Sequence, residues 1–174
     1  MSLKIEIIDD FLSIEDLKKL QSLDLGKTPD KQMNVYVKKI DEKNNISGTG
    51  MEDDTALKLQ QNYHLKAFQL LKQLNPEKAE LYEYSEFGIT DTGTNYNFPI
   101  HNDTPNKLLS GVIFLSPDKS EGTKFYKNKK GEGENSIEWK VNRGVFFSRM
   151  ENLSWHSFNN GDNGTRRVLI YNLM

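Results

Sequence analysis

The sequence predicts a mainly β protein: a sandwich or barrel of about eight short strands, with helices supplied by the N-terminal third. Three observations carry this expectation. From residue 80 onward the period changes to two and each segment reads as a strand. Turn-forming clusters punctuate that stretch, among them Ser116-Pro117-Asp118, Gly131-Glu132-Gly133 and residues 159–164. Before residue 80 the apolar residues fall instead at helical spacing in two places.

Taken in order, residues 4–8 alternate and form the first expected strand. Ser13 then stands at an N-cap position, with Glu15 and Asp16 in the first turn and Ile14, Leu17 and Leu20 on one face. A short amphipathic helix should end near Leu23. Residues 24–54 are polar and loop-rich, interrupted by one strand at 33–40. A second helix is expected from about Thr55 to Leu74, where Leu59, Tyr63, Ala67, Leu70 and Leu71 share a stripe and Asn75-Pro76 stops it. The later strands fall at 80–86, 96–101, 110–115, 124–126, 137–141, 144–148, 155–158 and 166–172. Lys127-Asn128-Lys129-Lys130 reads as a hairpin tip. The expected organisation is one unit over 1–174, with 1–79 as helical support and 80–174 as the barrel core.

Composition narrows the function. At 174 residues the chain can close a buried core, and 36% hydrophobic with 28% charged residues is the balance of a water-soluble protein. A formal net charge of -2 gives no reason to expect nucleic acid or an anionic membrane as partner. Cysteine is absent, which excludes disulfides, thiolate metal sites, iron–sulfur clusters and cysteine nucleophiles. With no apolar run suited to a signal peptide or a membrane span, the expected location is the cytoplasm.

The chain has only three histidines, so their placement is informative. His101 and Asp103 flank Asn102 at an expected strand end, where alternation puts both side chains on one face. His156 opens a later strand that a barrel could bring opposite. Two imidazoles and a carboxylate on one side of an ion leave its other positions open, the arrangement of non-haem iron oxygenases. Arg166 opens the last strand, and parity turns Arg166, Val168 and Ile170 inward while Arg167 points to the other side. An inward arginine in an apolar pocket needs an anionic partner. The blander readings are a surface pair for His101 and Asp103, a core histidine for His156, and a solvated Arg166 paired with Asp162. All would have to hold together to remove the metal-site reading. His64, on the second helix near Phe68, reads as a half-buried structural residue. Lys107 is either an ordinary surface lysine or one that reaches the mouth of the site.

In this order His101-Asn102-Asp103, His156 and Arg166 resemble the His-x-Asp…His…Arg pattern of the 2-oxoglutarate and iron(II)-dependent dioxygenases, particularly the prolyl-4-hydroxylase-like branch. Phe98-Pro99-Ile100, Gly122-Thr123-Lys124-Phe125-Tyr126, Val141 through Phe147, and Trp155-His156 with Gly164-Thr165-Arg166 resemble the surroundings of that pattern, over roughly residues 80–174. The resemblance implies a double-stranded β-helix, a jelly-roll or cupin-like barrel packed by two helices. It further implies iron(II) held by His101, Asp103 and His156, with 2-oxoglutarate as cosubstrate and Arg166 on its far carboxylate. Tyr84 is the candidate for a tyrosine hydroxyl against the cosubstrate. Dioxygen is then consumed, succinate and carbon dioxide are released, and a small-molecule or protein side-chain substrate is hydroxylated, with ascorbate a candidate reductant. Residues 41–54 and 86–95 are expected as mobile loops that contact substrate or act as lids. The alternative is a cupin-like metal-binding barrel, an isomerase or metabolite-binding protein, without oxygen chemistry.

Overall fold

Alternation decides which way each strand faces, and the computed structural model, which describes residues 2–174, shows where the two faces go. In chain order the elements are β1 (Ile5–Ile8), α1 (Ile14–Gln21), β2 (Met33–Asp41), β3 (Ile46–Gly48), α2 (Asp53–Leu74), a 3-10 helix (Pro76–Leu81), β4 (Tyr84–Thr92), β5 (Asn97–His101), β6 (Leu109–Ser116), β7 (Thr123–Tyr126), β8 (Asn135–Ile137), β9 (Gly144–Phe147), β10 (Trp155–Asn159) and β11 (Arg166–Leu173). They form a seven-stranded sheet ordered β1-β9-β6-β11-β4-β2-β3 and a four-stranded sheet ordered β5-β10-β7-β8. Every pairing is antiparallel. The two sheets make the expected jelly roll.

The central strands of the large sheet, β6, β9, β11 and most of β4, are buried on both faces. Odd residues of β6 and β11 (Ile113, Leu115, Leu169, Tyr171, Leu173) pack with Leu20, Leu59 and Leu71 of the two helices. Even residues (Phe114 and Val168) join Val145 and Phe147 of β9, Phe125 and Ile137 of the small sheet, and Trp139 in a second core between the sheets. At about 25 cal/mol per Å² of apolar area removed from water, these two layers supply the main favourable term in folding.

Local chemistry sets the element ends. Ser13 caps α1, its Oγ accepting from the Asp16 amide at 3.1 Å, as the sequence predicts. α2 starts at Asp53 rather than Thr55, with Asp53 and Asp54 in a first turn where negative charge suits the helix dipole. Asn142, at a left-handed φ of 65°, accepts from the Leu12 amide and donates to the Leu12 carbonyl, tying the first helix's approach to the turn before β9.

Four expectations are corrected. The strand placed at 80–86 begins only at Tyr84, because Pro76 at the start of the preceding segment initiates a 3-10 helix instead. The segment 86–95 is not a mobile loop. Its glycine, threonines and Asp91 read as turn formers, yet through Thr92 they belong to a central strand paired on both sides. Residues 137–141 hold a strand only to Ile137; Trp139 turns into the core and its Nε1 donates to the Pro117 carbonyl at 2.9 Å. Within 41–54 lie β3 and the start of α2, joined to β2 by a turn in which Asp41 Oδ1 accepts from the Lys43 and Asn45 amides. Residues 1–79 therefore contribute three strands as well as two helices. No helix among the described residues is long and apolar enough to cross a membrane.

Candidate active site

β5 and β10 are neighbours in the small sheet, and their register sets His156 directly opposite His101, with ring centroids 4.2 Å apart. Each ring is held the same way. His101 Nδ1 donates to the Pro99 carbonyl at 3.0 Å and His156 Nδ1 to the Ser154 carbonyl at 2.9 Å. A carbonyl can only accept, so both protons sit on Nδ1 and both Nε2 lone pairs are free to bind a metal. Burial pushes the His156 imidazolium down to about 4, against the opposing pull of Asp103, so this ring is neutral at pH 7.

Asp103 completes the set from the loop after β5. Candidate ligand atoms of His101, Asp103 and His156 all lie within 4.8 Å of one another. The Asp103 carboxylate is held from two sides: Ser110 Oγ donates to Oδ2 at 2.6 Å and Lys107 Nζ to Oδ1 at 2.8 Å. Burial alone would raise its pKa, but the Lys107 and His156 charges and these hydrogen bonds hold it below the usual carboxylate value. Asn102 is not an idle spacer. Its Oδ1 accepts from Ser154 Oγ, which links the Asp103 loop to the turn that orients His156. Lys107 thus reaches the site, resolving the two readings its sequence position allowed.

Arg166 stands on the large sheet across the cavity that the three ligands share. It is 1% exposed. Its Nε donates to the Glu121 carbonyl at 3.0 Å, while Nη2 has no partner. Phe158, Trp139 and Phe114 surround the guanidinium, with ring centroids 4.6, 5.1 and 5.7 Å from its central carbon. Burial pulls its pKa down to about 9, which still leaves it charged at pH 7. A buried cation with an unmet donor calls for an anion, and a carboxylate suits its planar fork. The donor set of two imidazoles and one carboxylate fits iron(II), and the guanidinium fits a dicarboxylate in the same cavity.

The structure thus brings His101, Asp103, His156 and Arg166 into one cavity. Tyr84 is the exception. It sits at the opposite end of β4 from the Thr92 that pairs with Arg166, lines a separate groove, and its ring lies under Lys39 Nζ at 5.4 Å. The cosubstrate role expected of it has no geometric support. No residue of 41–54 lines the cavity. His64 is half-buried as expected, stacked with Phe68 and tilted against Tyr82. Within 86–95, expected to contact substrate, Glu86 and Thr90 do line the cavity, from a strand rather than a loop; sequence reasoning missed Ser110, Thr123 and Asn172, which line it too. Extending the inward parity of Arg166, Val168 and Ile170 by one step would have found Asn172.

No protein-family model matches the sequence, and no curated protein matches it. Solved structures do. An oxidoreductase of the 2OG-Fe(II) oxygenase family from Burkholderia pseudomallei aligns over 97% of this chain and 82% of its own, with a TM-score of 0.61 and 14% identity. A Pseudomonas putida prolyl-4-hydroxylase aligns over 97% and 91%, at 0.57 and 14%. IDO from Bacillus thuringiensis aligns over 98% and 89%, at 0.65 and 9%. At such identities the likeness establishes the fold, which is the one found in 2OG-Fe(II) oxygenase structures.

Proposed function

We propose that this protein is an iron(II)- and 2-oxoglutarate-dependent oxygenase that hydroxylates a small substrate. The observation that carries the reading is the buried Arg166 guanidinium with its unpartnered Nη2, in one cavity with two histidines and an aspartate whose ligand atoms converge. A cavity built only to hold a metal would have no use for a desolvated cation facing it.

Iron(II) with 2-oxoglutarate would supply the oxidising power, converting dioxygen and the keto acid to succinate and carbon dioxide while one oxygen atom enters a substrate C–H bond. The chain's own part is positional. His101 and His156 offer Nε2 because their Nδ1 protons are committed to backbone carbonyls. Asp103 keeps its negative charge and its orientation through Ser110 and Lys107. Arg166 would take the far carboxylate of the cosubstrate, with the hydroxyls of Thr90 and Thr123 lining the same cavity. Phe98, Phe147, Phe158 and Val168 exclude water around these groups. Because the His156 ring is already neutral at pH 7, no proton has to leave it for a metal to bind.

The test is anaerobic addition of iron(II) and then 2-oxoglutarate to metal-stripped protein, followed by visible charge-transfer absorption. The parent should develop the band, and His101→Ala should lose it. Arg166→Met should need about ten- to a hundredfold more 2-oxoglutarate, the worth of one charge-assisted hydrogen-bonded pair. A folded, iron-loaded parent without the band would favour a metal-binding barrel that does no oxygen chemistry.

A further inference from the structure

The end of the cavity away from Arg166 carries a second polar set that iron and the cosubstrate do not use. Glu86 on β4, Asn172 on β11 and Ser110 on β6 stand in one cross-strand row, since Asn172 pairs with Glu86 on one side and Ser110 on the other. Ser110 is the residue that donates to Asp103, so this row abuts the metal ligands. Arg166 lies roughly 20 Å away along the same strand at the usual rise per residue.

Asn172 is 3% exposed and lines the cavity. Its Nδ2 donates to Glu86 Oε2 at 3.3 Å, a bond that fixes the amide's orientation because a carboxylate can only accept. Oδ1 is left buried without a donor, which is rare for an amide with a purely structural role. Glu86 accepts only that one long bond. Lys39 Nζ forms a loose ion pair with Oε1 at 3.7 Å, beyond hydrogen-bond range, from a half-exposed side chain at the rim. The other cations of the cavity are placed elsewhere: Lys107 on Asp103, and Arg166 at the far end. Among the described residues no donor is placed on Asn172 Oδ1 or within hydrogen-bond distance of Glu86 Oε1, whose only cationic neighbour is the loosely paired Lys39. The wall beside them is apolar: Val37 and Ile170 both pair with Gly88, one inward step along β4 from Glu86, and Val35, one step further, is 51% exposed at the opening.

Resting on the oxygenase reading, we propose that the substrate is a small, free aliphatic ammonium compound, its nitrogen held between Glu86 and Asn172 Oδ1 and its chain lying along Val37 and Ile170 toward Val35. An ammonium brings three donors and a charge to two acceptors that an alcohol would only half satisfy. The cavity volume of about 270 Å³ must also admit the cosubstrate, so the chain is a few carbons long.

Binding is read on metal-free protein by ligand-observed NMR, with n-pentylammonium, 1-pentanol and pentanoate as probes of equal length. The ammonium should bind about tenfold or more tightly than the alcohol, and Glu86→Gln should erase that preference. Lys39→Met, which removes the competing cation at the rim, should tighten ammonium binding about threefold; a misfolded variant could not produce that gain. Equal binding of alcohol or pentanoate, or an unchanged Glu86→Gln, overturns the proposal. Tighter binding of Nα-acetyl-lysinamide than of pentylammonium overturns the free compound in favour of a lysyl side chain. The cosubstrate titration is independent of these probes. An intact charge-transfer band without ammonium preference sinks this inference alone, and ammonium preference without the band sinks the oxygenase reading alone.

Discussion

At the scale of single residues, the site consists of polar groups kept in a low-dielectric cavity in the state that suits metal binding. His156 shows the consequence for stability. Its pKa falls from 6.5 to about 4 on folding because burial penalises the imidazolium, so the unfolded chain takes up a proton there that the folded chain refuses. Stability is thus fully present above pH 6.5 and drains away as the pH falls toward 4. Asp103, whose folded pKa is also lowered, adds a loss of the same sign in the acid range; Lys107 and His101 are the other charged or titratable groups beside this ring. Urea midpoints of metal-free protein should therefore drop between pH 7 and pH 4.5, with about 2–3 kcal/mol of the loss due to His156. His156→Phe, set among Phe125 and Phe147, should flatten that part of the slope. A slope identical to the parent's would show that His156 does not carry it.

At the scale of elements, β11 concentrates the design. Its neighbouring arginines serve opposite faces of one sheet. Arg166 looks into the cavity, while Arg167 forms a two-pronged pair with Asp91 at 2.7 and 2.6 Å and donates to the carbonyls of Leu20, Gln21 and Leu23 where α1 ends. Both partners are buried, Arg167 at 8% and Asp91 at 2% exposure. Removing one strands the other, so Arg167→Leu should lower unfolding free energy by about 3–5 kcal/mol in urea titrations. The double variant Asp91→Val/Arg167→Leu should be less damaged than that single change. If instead the two losses simply add, the pair is not coupled. This pairing also explains why 86–95 misled local reading. Asp91 and the threonines of β4 suit a turn by composition, and only a cation on the next strand and a cavity on the other face make them strand residues.

At the scale of the whole molecule, the two cores share one sheet. β6, β9 and β11 give alternate residues to the helix-covered core and to the core between the sheets, so neither survives loss of the other. Unfolding should be one transition: tryptophan fluorescence, from Trp139 in the inter-sheet core and Trp155 on β10 of the small sheet, and helical circular dichroism, which reports α1 and α2, should give coincident midpoints. An earlier fluorescence midpoint would mean that the small sheet opens on its own. The same shared sheet carries Arg166 to the metal ligands of the small sheet, so integrity of the fold and of the site should be lost together.

By itself the sequence determined what is periodic or chemical: the two helices, the Ser13 cap of the first and the Asn75-Pro76 stop of the second, the change to period two after residue 80, the inward face of β11, and the two histidines, aspartate and arginine suited to a metal and an anion. These are readable because side-chain direction follows from chain position within one element. Only the tertiary structure decided which strands are neighbours. That pairing set His156 across from His101, gave Asp91 its arginine, drew Lys107 and Ser110 onto Asp103, aligned Glu86 with Asn172, and left Tyr84 at the wrong end of β4. Such partners are far apart in the chain, and local periodicity says nothing about them, because register between strands is chosen by burial over the whole sheet.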